Sequence, residues 1–167
     1  MDGGGWRRVL CNSGVVMSLD SFAAKGFGVE IPFVKLLGFD LTRFEGGEST
    51  ILYTPKPEHA NSFAVAHGGV VMTLLDVTMA TAARSAQQEM GVVTIEMKTS
   101  FMRPCPLGLL IAKGKLIHRT VTMAFTEASI YDEAGKVCAM ATGTFKYVKR
   151  LLPARPSDAA APQISTD

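Results

Sequence analysis

Cysteine is scarce in this 167-residue chain, which holds Cys11, Cys105 and Cys138 and no CxxC pair. An odd number of unpaired cysteines with only three histidines beside them excludes a disulfide framework and argues against a structural zinc site. A reducing, cytoplasmic setting is the expectation. Charge of one sign is missing too. Seventeen basic residues against fifteen acidic leave a net charge of +2, too balanced for long-range attraction to nucleic acid or to a membrane surface. No apolar run reaches the length of a membrane span, since Asp76 or other charged residues break each candidate. Arg7-Arg8 ahead of Val9-Leu10-Cys11 has the outline of a lipoprotein signal, but the apolar stretch is too short and Asn12-Ser13 interrupts it. Phosphate-cradling loops (GxGxxG, GxxxxGK[ST]) and the GxSxG nucleophile elbow are absent, which argues against nucleotide hydrolases and α/β-hydrolases.

The length suits one domain with a single core. Mean hydropathy is positive for so small a protein, so part of the apolar surface is expected to be covered by another subunit. Residues 1–24 are expected to be a flexible extension, with Gly3-Gly4-Gly5 inside it, and the aperiodic, proline-bearing stretch 151–167 a disordered tail. The domain is then 25–150.

Pro32 before Phe33-Val34-Lys35-Leu36-Leu37 and Gly38 after it predict a short helix. Residues Phe39–Phe44 and Ser49–Tyr53 alternate as strands around a Glu45-Gly46-Gly47-Glu48 turn. A loop through His59-Ala60-Asn61-Ser62 feeds a long helix placed from about Gly69 to Gln87, apolar on nearly every face and therefore expected to be wrapped on most sides. Strands are predicted at Val93–Phe101, Leu109–Arg119, Thr122–Tyr131 and Lys136–Val148, the last three as a meander. One long central helix wrapped by a curved antiparallel sheet of five or six strands is an α+β architecture.

Asp76 stands out on that helix, because an unpaired carboxylate in an apolar setting is costly and Asp is a poor mid-helix residue. Gly68 and Gly69 open the helix, where N–H groups without side chains in the way can meet a carbonyl oxygen or an oxyanion. Each has a plain alternative: a buried carboxylate satisfied by its neighbours, and a helix start that needs small residues for packing.

The pattern of Asn61, then His67-Gly68-Gly69, then Asp76, with the later Arg103-Pro104, resembles the hotdog-fold acyl-CoA thioesterases of the 4-hydroxybenzoyl-CoA and phenylacetate-pathway type. The resemblance covers roughly residues 32–148. It implies that the Gly68 N–H, helped by the Asn61 amide, binds the thioester oxygen, while Asp76 acts as nucleophile or general base. It places His67 as a loop-orienting residue and Thr94 as a holder of water. Met72 and Gly69 would line the substrate site, and Arg103, Arg119, Lys146, Lys149 or Arg150 would meet the CoA phosphates. His59 and His118 have no ligand partners at suitable spacing and are expected at the surface. No metal or other cofactor is called for. The alternatives are a hotdog acyl-thioester dehydratase or hydratase, and a non-catalytic acyl-CoA binding module.

Helix geometry adds a further expectation. Gly68 and Asp76, eight residues apart, would lie about 12 Å apart along a regular helix axis, too far to share one thioester carbonyl within a chain. Two chains about a two-fold axis would bring them together, as a homodimer or a dimer of dimers.

Overall fold

The computed structural model describes residues 31–149. The expectations for 1–24 and 151–167 fall wholly on residues outside that range, as does Arg150.

Helix α1 (Pro32–Leu37) starts on proline, whose fixed φ suits the first helical position, and ends at Gly38, left-handed at φ 77° with its N–H on the Val34 and Lys35 carbonyls. Strands β1 (Asp40–Glu45) and β2 (Glu48–Tyr53) form a hairpin. Gly46 and Gly47 both take positive φ at its turn, the pairing that matches strand twist in a two-residue loop. A short 3-10 turn (Pro57–His59) leads into the loop before α2 (Gly68–Ser85). Then come β3 (Met90–Phe101), β4 (Leu110–Arg119), β5 (Met123–Tyr131) and β6 (Val137–Lys149).

The six strands form one antiparallel sheet in the order β1-β2-β4-β5-β6-β3. The expected meander is β4-β5-β6. Register shifts at Leu41/Arg43, Thr94/Glu96, Leu116/His118 and Ile130/Tyr131 interrupt the ladders, and such irregularities bend strands. The sheet curves around α2 accordingly, as expected for a hotdog fold. The helix begins one residue earlier than expected and ends two earlier, while β3 begins three earlier because Gly91 and Val92 pair with Val148 and Tyr147.

One expectation about α2 needs correcting. Within a single chain the sheet covers only one side of the helix: Val71, Leu74, Leu75, Thr78, Met79 and Ala82 are buried, whereas Met72 is exposed and Asp76, Val77 and Ala80 are half-buried on the other side. Apolar residues all round the helix reflect two different surroundings, the sheet on one side and a groove on the other.

Polar cross-links set the seating of α2. The Ser49 hydroxyl donates to the Thr78 carbonyl at 2.7 Å, the Tyr147 hydroxyl to the Ala83 carbonyl at 3.0 Å, and the Gly47 N–H to the Ser85 hydroxyl at 2.9 Å. Thr78 and Ser85 turn their own hydroxyls back onto helix carbonyls, so these buried groups are satisfied. Gly114 marks the closest approach. A Cβ there would fall 2.7 Å from both Ser49 Oγ and the Thr78 carbonyl. No helix among the described residues is long and apolar enough to cross a membrane.

Gly114→Ala is therefore expected to push α2 off the sheet at a cost of about 1–3 kcal/mol, the usual range for overpacking. Urea unfolding checks this, and an unchanged midpoint would contradict so close a seating.

Candidate active site

The loop ahead of α2 is held by backbone hydrogen bonds, one of them to the distant Cys105, and by the Asn61 side chain. Asn61 N–H donates to Val65 O at 2.8 Å, Ala66 N–H to Cys105 O at 2.9 Å and His67 N–H to His59 O at 2.8 Å. The Asn61 side-chain oxygen accepts from the N–H groups of Phe63 (2.9 Å) and Val65 (3.4 Å), an Asx-type arrangement. With the oxygen engaged in the loop, the amide NH2 remains as a donor. Ala64, in the middle, takes φ 57°, a left-handed conformation that costs a residue with a Cβ about 1–2 kcal/mol.

His67 caps the helix. Its Nδ1 accepts the Gly69 N–H at 2.9 Å, and its carbonyl accepts from Val70 and Val71. Of the first-turn donors only the Gly68 N–H is left without a partner among the described residues. That single donor sits at the positive end of an eighteen-residue helix. A Cβ on Gly68 would stand 3.6 Å from the Phe101 ring, ordinary contact, so steric crowding within the chain does not account for the glycine.

Two turns further along, Asp76 faces β3. The Thr94 hydroxyl donates to Asp76 Oδ1 at 2.8 Å, and the Thr94/Glu96 register shift lies beside that contact. Burial pushes the Asp76 carboxyl above the usual carboxylate range, while the Thr94 hydrogen bond works the other way. The result is a carboxylate that is poorly hydrated, oriented and basic for its type.

Asp76 and Thr94 open onto a cavity of about 860 Å³, within the size range of small-molecule sites at roughly 300–1,000 Å³. Gly69, Met72, Thr73, Val77, Ala80 and Arg84 line it from the helix, and Val92, Val93 and Met97 from β3. Ile31, Phe33 and Val34 form a third wall. Among the described residues no group of three or more His, Cys, Asp or Glu side chains is placed to hold a metal.

Comparison with known proteins gives this arrangement a family. A model of the thioesterase superfamily matches residues 63–139. The solved structure of the conserved protein PA5202 from Pseudomonas aeruginosa superposes with a TM-score of 0.70 at 25% identity, over 75% of this chain and 99% of that one. The chain is a hotdog-fold thioesterase. A relative from Saccharolobus solfataricus, named provisionally as an esterase, is 28% identical over 121 residues, 72% of this chain and 86% of its own. Human acyl-coenzyme A thioesterase 13 is 28% identical over 89 residues, 52% of this chain and 64% of its own. As these relatives imply, this hotdog chain is a thioester hydrolase.

Within this thioesterase the expected site residues divide into two groups. Asp76, Thr94, Gly69 and Met72 share the cavity, whereas Gly68, Asn61 and His67 stand at the helix start outside its lining. Arg103 and Arg119 are exposed and do not line it either; the Arg103 guanidinium donates to the Val137 carbonyl at 2.8 Å. His59 is not a surface residue as expected. It is half-buried against Tyr53, whose hydroxyl lies 2.7 Å from its Nδ1, and its carbonyl supports His67. The sequence signal for this was the proximity of Tyr53, His59 and two prolines, which force a tight return of the chain. His118 is exposed, stacked on Phe125. Cys105 and Cys138 are buried free thiols, and burial with the neighbouring Cys138 pushes the Cys105 thiol to about 12, far from reactive.

Sequence reasoning missed two features. The helix signal at Pro32–Leu37 does not say that α1 walls the cavity, and Ala64 carries no signal of a left-handed residue. The capping geometry predicts that His67→Ala lowers stability by about 0.5–2 kcal/mol, while His67→Asn, which can also accept the Gly69 N–H, recovers most of it. Thermal melting of the two variants checks this; equal losses would show that the ring's packing matters and not the cap.

Proposed function

We infer that this thioesterase hydrolyses acyl-CoA thioesters, binding the carbonyl oxygen at the Gly68 N–H and the Asn61 amide while Asp76 delivers or activates the attacking oxygen. The observation that carries this reading is the Asp76–Thr94 pair, a desolvated and oriented carboxylate at 2.8 Å from its partner, on the same helix whose start offers one unused N–H. Charge grows on the thioester oxygen as the tetrahedral intermediate forms, and a fixed N–H at a helix start meets it without reorganising. Asp76 either attacks the carbonyl carbon, giving an acyl-enzyme anhydride that water opens, or takes a proton from the water that attacks. Either route ends with the thiol of CoA and a free acid.

A Streptococcus mutans relative in structure, at TM-score 0.63 and 23% identity, is bound to acetyl CoA, which fits a CoA thioester substrate. Exposed Arg103, Arg119, Lys146 and Lys149 are available for its phosphates. A dehydratase needs a catalytic histidine, and His67 already commits Nδ1 to the helix cap, which favours hydrolysis.

The site is completed, in this reading, by a second copy of the chain. Strand β3 is twelve residues long and, among the described residues, pairs only with β6, so that it presents Val93 and Ile95 at 45% and 54% exposure on a sheet edge that no other described strand covers. Antiparallel pairing of two such edges about a two-fold axis sets the α2 helices side by side. Asp76 of one protomer then faces Gly68 and Asn61 of the partner subunit, spanning the ~12 Å that separates them along one helix. Such dimers can pair further into tetramers.

Two experiments test the mechanism. Asp76→Asn should lower turnover ~10²–10⁴-fold, as expected for a lost base, without unfolding the protein. Stability should move the opposite way. Because the folded-state pKa lies above the ordinary 3.8, the folded protein holds the Asp76 proton more tightly than the unfolded chain does, so the ionised carboxylate costs stability at neutral pH. The variant should melt higher than wild type at neutral pH, and the two should converge as pH falls towards 3.8 and below. Thiol-release assays and pH-dependent melting give both readouts, and near-normal turnover would eliminate Asp76 from the mechanism.

Sharing of the site is tested by co-refolding inactive Asp76→Ala with inactive Asn61→Ala protein. Random pairing makes half the dimers mixed, each with one unmutated site, so activity should return to roughly a quarter of wild type. Mixed dimers that form yet stay inactive would place the whole site within one chain.

A further inference from the structure

We propose that the half of the cavity beyond Asp76 is an acyl-chain groove suited to unbranched chains of medium length, with Ala80 setting how far a chain can enter. The inference rests on the thioester-hydrolysis reading and names the substrate class of that site.

Position along the helix decides which part of the cavity is free. In the proposed dimer the two-fold axis passes midway between Gly68 and Asp76, near Met72, so the partner's helix start covers the Gly69–Asp76 half. The other half runs along Val77, Ala80 and Arg84, faces Val92, and is walled by Phe33 and Val34, all of one chain. An acyl group whose carbonyl sits at Asp76 has this half ahead of it.

The chemistry of the walls selects the acyl type. Polar groups there are directed elsewhere: the Thr81 hydroxyl donates to the Val77 carbonyl at 2.6 Å, and the Arg84 guanidinium lies over the Phe44 ring, 5.7 Å from its centre. What faces the groove is hydrocarbon. Among the described residues that line this half, no cluster of donors and acceptors awaits a hydroxyl or a second carboxylate on the acyl group. Asp76 to Arg84 is eight residues, about 12 Å of helix axis, which accommodates a chain of hexanoyl to decanoyl length. A compact aryl group would fill the near end and leave the far walls without partner atoms. Ala80 is half-buried one turn past Asp76 and has the smallest side chain of the helix residues that line this half, so the passage is open where a larger residue would close it.

The test measures kcat/KM of the wild type on acetyl-, hexanoyl-, decanoyl- and phenylacetyl-CoA, with calorimetric binding of the non-hydrolysable thioether S-decyl-CoA. Specificity should climb by about fourfold per buried methylene up to decanoyl and exceed that for phenylacetyl-CoA. Ala80→Leu should cut the decanoyl-to-acetyl ratio by about 10–200-fold and weaken S-decyl-CoA binding. Phe33→Ala, at an exposed position where folding is not at risk, should raise KM for decanoyl-CoA more than for acetyl-CoA. Turnover independent of chain length, or a Ala80→Leu effect equal on every substrate, overturns the groove and leaves hydrolysis standing. If no thioester is turned over, Ala80-dependent binding of S-decyl-CoA upholds the groove while the hydrolytic reading fails, and binding indifferent to Ala80 removes the groove as well.

Discussion

Helix α2 presents Leu74, Leu75 and Met79 to the sheet at complete burial, and because those positions recur on a helical period, Asp76 is carried to the opposite side of the same helix. The depth of that seating is set where Gly114 lets the Thr78 carbonyl approach the sheet backbone and where Ser49 and Tyr147 take up helix carbonyls. A helix held this close has little freedom to roll. The groove side therefore faces β3 at a fixed angle, and Asp76 meets Thr94 without either side chain having to search for the other.

The start of the helix is arranged by a different economy. Four N–H groups at a helix N-terminus need partners. Here His67 supplies its ring for one and its carbonyl for two, and the remaining one is the Gly68 N–H. The loop behind it, held by Asn61, the His59 carbonyl and the Cys105 carbonyl, accepts a left-handed alanine at Ala64 to make its turn. Strain of about 1–2 kcal/mol in a loop beside an unsatisfied donor shows local stability given up for geometry.

Strand β3 joins these two parts. It carries Thr94 on the groove wall, pairs with β6, and among the described residues leaves its outer edge unpaired with Val93 and Ile95 exposed. An edge of that length and composition is a hazard for a monomer and an asset for a chain that pairs with itself.

Local patterning was enough to reveal the helix, the six strands and the Gly46-Gly47 hairpin, because each depends on periodicity or turn chemistry within a few residues. It also marked Asp76, since an aspartate inside an apolar helix violates the pattern around it, and the glycines at the helix start. Which strand lies beside which was not legible. β3 follows the helix in sequence yet pairs with β6 at the far edge, a choice set by long-range pairing and sheet curvature that no short window contains. For the same reason tertiary structure alone decided that Thr94 meets Asp76, that α1 walls the cavity, that His59 turns inward to Tyr53, and that Ala64 carries the strain. Each of those facts depends on two segments far apart in the chain, or on a backbone angle that the residue's own chemistry disfavours, and only the packed fold supplies the free energy that holds them.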